Sequence, residues 1–150
     1  MATIEEIKSL REETGLSIMQ CQKALEEAGG DRNKAIELLK AKGAEIAGRK
    51  GDRTLGAGTV VSYIHAGDTV GVILELMCET DFVAKNPDFK IVAKEIAMHV
   101  AAMNPENTEQ LLTQPFIKDS SKTIADLINN TVQKFGERTE IGRFTRFSIN

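Results

Sequence analysis

Apolar residues recur along this chain with two different periods, and the change of period divides it. Ile4, Ile7 and Leu10 follow one another at helical spacing, and Thr3 with Glu6 offers that helix a capping box. Thr14-Gly15 ends the element. Ser17 and Gln20 repeat the capping pattern, with Met19, Leu25 and Ala28 on one broad face of a second helix that Gly29-Gly30 stops. Asp31 caps a third, with Ala35, Ile36, Leu38 and Leu39 apolar and Gly43 past its end. Helices this short are not stable alone, so residues 1–43 are expected to pack as one small bundle. Residues 44–56, AEIAGRKGDRTLG, mix alanine, glycine and charge without a firm period. They read as a linker, with helix allowed at its start.

From residue 57 the period becomes two. GTVVSYIHAGDTVGVILELMC holds two β-branched runs flanking AGD, which predicts an antiparallel hairpin. In its second run Val70, Val72, Leu74 and Leu76 share one face, and Gly71, Ile73, Glu75 and Met77 the other. Asn86-Pro87 then reads as an N-cap followed by a first helical residue. Phe89, Val92, Ile96, Val100 and Met103 point that helix at a core until Asn104-Pro105. PENTEQLLTQPFIKDSS reads as irregular, and residues 122–135 as an amphipathic helix through Ile124, Leu127, Ile128, Val132 and Phe135. The tail EIGRFTRFSIN sets Ile141, Arg143, Thr145 and Phe147 against Phe144, Arg146 and Ser148, a strand that completes a small sheet. The expected class is α+β: a three-helix unit (1–43), a linker (44–56), and a core (57–150) with a small antiparallel sheet packed on helices.

One stretch does not fit its neighbours. In CETDFVAKNPDF, residues 78–89, an acid stands beside Phe82 and Val83 in a short strand-to-helix connection. Such connections are usually polar. The phenylalanine either folds back into the core or is meant for the core of another protein.

Composition narrows the function classes. The 150 residues are 41% hydrophobic and 27% charged, enough for a modest core. A net charge of -3 argues against a general nucleic-acid binder. The apolar runs are too short to span a bilayer. MATIEEIKSL, with two acids and no continuous apolar stretch, is unlike a signal peptide, so a cytoplasmic location is expected. Cys21 and Cys78 form no CxxC and imply neither a disulfide framework nor a zinc site. Both read as small apolar fillers. His65 falls at the hairpin turn and reads as exposed; His99 lies within a helix and reads as a packing residue. No phosphate loop, dinucleotide fingerprint, nucleophile elbow or paired carboxylates are visible, so no enzyme, cofactor or metal is expected. What remains is interaction surface. TGLSIMQC displays Leu16, Ile18 and Met19, some of which must be core, and Lys8 and Arg11 lie a helical turn apart on one face.

Several segments, in order and over nearly the whole chain, resemble the translation elongation factor Ts family. They are LREETGLSIMQCQKALEEAGGDRNKAIELLKAKG, LMCETDFVAKN, IAMHVAAMNP, QPFIKD and the closing GRFTRF. The resemblance implies a guanine-nucleotide exchange factor whose partner is elongation factor Tu, GDP-bound and nucleotide-free, with no direct nucleic-acid or membrane role. It implies an N-terminal domain of ubiquitin-associated type that docks on the partner's nucleotide-binding domain through Lys8, Leu10, Arg11, Ile18 and Met19. It also implies that Thr80, Asp81, Phe82 and Val83 form the loop whose Asp-Phe pair inserts near the partner's magnesium site. In longer members two related halves carry this loop and a YxH turn, whose histidine approaches the partner's P-loop region. Here YIHAGDTVG supplies that histidine as His65, so both marks lie in one chain. Short members pair so that each protomer offers one mark, and a homodimer through the core sheets is expected. Other short members carry a helical insertion where this chain has only ENTEQLLT between Pro105 and Gln114. A different reading stays open, a non-catalytic adaptor that binds through its N-terminal helices.

Overall fold

The computed structural model describes residues 1–149. Both capping boxes form. In helix α1 (Ile4–Thr14) the Thr3 hydroxyl accepts from Glu6 N at 3.2 Å and the Glu6 carboxylate accepts from Thr3 N at 2.8 Å. Ser17 and Gln20 exchange the same bonds at the start of α2 (Ile18–Glu27). These bonds satisfy amides that a helix start leaves without partners. Gly15, at φ 70, closes α1 in the left-handed conformation, where its N–H reaches Arg11 O at 2.7 Å. Leu10, Leu16, Cys21, Ala24, Leu25, Ala35 and Leu39 make the bundle's core. Met19, expected on the packed face of α2, instead points to solvent.

Helix α3 does not stop at Gly43. It runs Arg32–Arg49, so the first half of the stretch read as a linker is helix. The reason is tertiary. Gly43 is buried where α3 lies along α7 (Ile124–Phe135), and a Cβ there would sit 3.2 Å from Asn129 O and 3.0 Å from Gln133 Oε1. The glycine is a close-approach residue rather than a stop signal. Asn130 Nδ2 donates to Thr14 O at 3.0 Å and Lys40 Nζ to Ser121 O at 2.9 Å, fastening the bundle to the rest.

A three-stranded antiparallel sheet runs β1 (Ala57–Ile64), β2 (Val70–Cys78), β5 (Glu140–Ser148), with β2 in the centre. The alternation in β2 holds: Val72, Leu74 and Leu76 are buried under α5 (Pro87–Met103), against Phe89, Ala93, Ile96, Ala97 and Val100. Met103, expected inward, is exposed at the end of α5. In β5 the expected alternation breaks. Leu74 pairs with Phe144 but Leu76 with Ile141, so β5 carries one extra residue in a bulge. Ile141 therefore shares the inner face with Phe144, not the outer face with Phe147. The side chain of Glu75 occupies the bulge and accepts from Arg143 N at 2.7 Å, satisfying an amide that the ladder has lost.

The stretch expected to be irregular holds helix α6 (Thr108–Thr113) and a small hairpin, β3 (Pro115–Phe116) with β4 (Asp119–Thr123). His99, fully buried as a packing residue, ties this hairpin to α5. Its Nδ1 accepts from Ile117 N at 3.1 Å, which leaves Nε2–H to donate to Gln114 Oε1 at 3.0 Å. Burial lowers the His99 pKa below its usual 6.5, the Gln114 bond opposing. A depressed histidine pKa means that the unfolded chain takes up more protons. Urea-unfolding midpoints should therefore fall as pH drops below about 6.5, and a His99→Gln variant should lose that slope. A midpoint in the parent chain that stays flat from pH 7.5 to 5.5 would contradict it.

Candidate partner-binding surfaces

The segment around Phe82 is not a loop but a one-turn helix, α4 (Asp81–Ala84). Thr80 caps it, its hydroxyl accepting from Val83 N at 3.4 Å, and Asp81 lies in the first turn, where a negative charge suits the helix dipole. The turn separates neighbours in sequence. Val83 and Ala84 pack into the core at 5% and 4% exposure, while Phe82 is 85% exposed. Asp81 is exposed beside it. Val83, placed with the partner-binding loop by resemblance, is thus an anchor of the helix and offers no surface. Below the turn, the carboxylate of Glu137 accepts from Glu79 N, Thr80 N and the Thr80 hydroxyl at 3.1, 3.0 and 2.7 Å. Nothing local in the sequence marks Glu137, because its partners belong to a distant strand end.

His65 is exposed at the start of the β1–β2 turn. Its N–H donates to Val70 O at 2.9 Å, and its Nδ1 lies 3.0 Å from the Tyr63 hydroxyl. The structure does not bring His65 and Phe82 together. Ala57 pairs with Cys78 at one end of the hairpin and Ile64 with Gly71 at the other. At the usual rise per strand residue the two sites lie roughly 25 Å apart along the sheet.

At the N-terminal unit, Lys8 and Arg11 are exposed and Ile18 and Met19 are 54% and 80% exposed. Leu16 turns inward. Leu10, placed on a docking face by resemblance, is 0% exposed at the centre of the bundle and has no surface to offer. Ile4, which shares its helical spacing, is by contrast 73% exposed.

The outer face of the sheet is a further surface. Val60, Ile64, Ile73 and Phe147 stand exposed on it, around the Glu75–Arg143 pair. Arg143 grips Glu75 through Nε and Nη2 at 2.9 and 2.8 Å, and these bonds bring the Glu75 pKa down to about 2. The charges on this face are therefore paired among apolar neighbours. Among the described residues no group of three or more metal-ligating side chains converges, and no helix is long and apolar enough to cross a membrane.

The family model described as "Elongation factor TS" matches residues 8–105 and again 79–150. The chain belongs to the elongation factor Ts family. Elongation factor Ts of Desulforamulus reducens is 39% identical to it, over 95% of this chain and 87% of the relative. That of Thermodesulfovibrio yellowstonii is 40% identical over 98% and 96%. That of Trichlorobacter lovleyi is 42% identical over 99% of this chain but only 48% of its own length. A role in translation elongation follows from this membership. The first two alignments run over 188 and 191 positions against a chain of 150 residues. Those elongation factor Ts proteins therefore carry segments with no counterpart here. The first family match stops at Pro105, where the short ENTEQLLT connection, now seen to hold α6, begins.

Proposed function

We propose that this elongation factor Ts binds elongation factor Tu and promotes release of its GDP. The observation that carries the proposal is Phe82: a large apolar side chain, 85% exposed, held beside an exposed carboxylate on a capped turn whose other face is buried. A GTPase holds its nucleotide through P-loop amides and a magnesium ion bridging phosphate oxygens. Phe82 entering a neighbouring pocket would displace the support of that ion, with Asp81 alongside, and the nucleotide loses its bridge. By reciprocity, a factor that weakens GDP binding is itself weakened by GDP, so the exchange needs no covalent step. Residues 1–43 act as the docking unit through Lys8, Arg11, Ile18 and Met19, and residues 57–150 as the exchange and dimerisation unit. The factor works in the cytoplasm without contacting nucleic acid.

We further infer that the working form is a homodimer joined through the outer sheet faces. The exposed Val60, Ile64, Ile73 and Phe147 support this, as does the separation of His65 from Phe82, which lets two protomers serve one partner. The decisive measurement is release of labelled GDP from the cognate elongation factor Tu. The chain should accelerate it well above the spontaneous rate; no acceleration at micromolar factor, with binding retained by residues 1–49 alone, would favour the adaptor reading.

A further inference from the structure

A four-residue helix cannot hold its own direction, because so short a helix gains nothing from its internal bonds. Phe82, at 85% exposure, is scarcely held by its own chain. Its direction is therefore set by whatever fixes the turn beneath it. Val83 and Ala84 supply an apolar anchor, which resists lifting but is non-directional. Beside a bond from Cys78 Sγ to Thr80 O at 3.3 Å, the directional contacts come from the connection between α7 and β5.

There the two strands of chain clasp each other reciprocally. Glu137 Oε1 accepts from the amides of Glu79 and Thr80 at 3.1 and 3.0 Å, and its Oε2 accepts from the Thr80 hydroxyl at 2.7 Å. In return, Glu79 Oε2 accepts from Arg138 N at 2.6 Å. Arg138 extends the clasp, donating from Nη1 to Arg53 O at 2.6 Å and from Nη2 to Glu140 Oε1 at 2.8 Å. Bonds to a carboxylate are shorter and stronger than neutral ones, and those to rigid backbone amides fix orientation best. The Thr80 hydroxyl is the hinge of the arrangement. It donates its proton to Glu137 and, through the same oxygen, accepts from Val83 N to start α4.

We propose that Glu137 is a positioning residue for exchange, acting through Thr80 to aim Phe82 at the partner. The proposal rests on the exchange reading above. Removing the carboxylate leaves α4 folded on Val83 and Ala84 but free to swing, so fewer encounters place the phenylalanine in its pocket. The loss belongs to the rate within the complex, not to docking, which the N-terminal helices perform.

The test measures labelled-GDP release across a range of factor concentrations, with thermal unfolding of every variant. Glu137→Ala should lower the maximal rate about tenfold, equivalent to roughly 1.4 kcal/mol of barrier. The half-saturating concentration should stay within about twofold of the parent. Glu137→Gln, which keeps an acceptor for both amides, should recover most of that rate. Thr80→Ala, a change at an exposed position, should slow exchange as Glu137→Ala does, and Thr80→Ser should restore it. In a Phe82→Ala background, adding Glu137→Ala should cost no more than about twofold, since the two act in series. Full maximal rates in both Glu137→Ala and Thr80→Ala, with Phe82→Ala slow, overturn the inference. An equal loss with and without Phe82 also overturns it, revealing a general effect on the fold. A full rate in Phe82→Ala itself would instead remove the Phe82 wedge on which the inference rests, and no acceleration by the parent chain would remove the exchange reading beneath it.

Discussion

Replacing Phe82 with alanine is expected to slow exchange by about thirtyfold, the equivalent of a 2 kcal/mol hot spot, and to leave the melting temperature unchanged. The two halves of that expectation come from the same number. At 85% exposure the ring contributes almost nothing to its own core, and surface substitutions of this kind usually shift stability by less than about 0.5 kcal/mol. Its neighbour behaves oppositely. Val83, 5% exposed, is expected to cost about 1–2 kcal/mol of stability when truncated to alanine. Asp81→Ala falls between, weakening exchange without destabilising the fold, because its charge meets only solvent and the first turn of α4. Labelled-GDP release and thermal melts on the same preparations separate these effects. If Phe82→Ala exchanges at the parental rate, the wedge is not the mechanism, whatever the chain binds.

What could be read from the sequence was what depends on neighbours along the chain. The boxes at Thr3–Glu6 and Ser17–Gln20 are formed by side chains three positions apart, so their chemistry is visible in the string. The inward set Val72, Leu74 and Leu76 follows from a strand's period of two. Most of the features that escaped depend on a partner brought in by the fold. Gly43 looks like a helix stop until α7 lies against it. The bulge that moves Ile141 to the inner face depends on Glu75, in a strand 68 residues away in sequence, capturing Arg143 N. Helix α4 is too short to display a period, so Phe82 and Val83 could not be sorted into outside and inside. Leu10 was missed as well: resemblance assigned it to a docking face, and its spacing with Ile4 could not sort the two, since Ile4 is 73% exposed and Leu10 fully buried. Glu137 was invisible for the same reason as the bulge, since Glu79 and Thr80 approach it only in the folded chain.

The second large effect concerns the 25 Å or so that separates His65 from Phe82 along the β1–β2 hairpin, at the ordinary strand rise. If one partner molecule meets Phe82 of one protomer and His65 of the other, two crippled chains can repair each other. Phe82→Ala and His65→Ala factors, each nearly inactive alone, are mixed after dissociation and allowed to re-pair. Half of the dimers formed at random are mixed, and each mixed dimer rebuilds one of its two composite sites. The mixture should therefore regain about a quarter of the parental activity. Introducing Ile73→Lys into both chains should abolish the recovery, because it places an unpaired charge in the middle of the apolar outer face. Light scattering should show the same variant near 16.4 kDa, the mass of one chain, and the parent at twice that. A mixture that stays inactive while the parent is dimeric would mean that each protomer uses both marks on its own partner. A parent at the mass of one chain across micromolar concentrations would remove the dimer altogether, leaving a factor that works through Phe82 with His65 idle at the far end of the sheet.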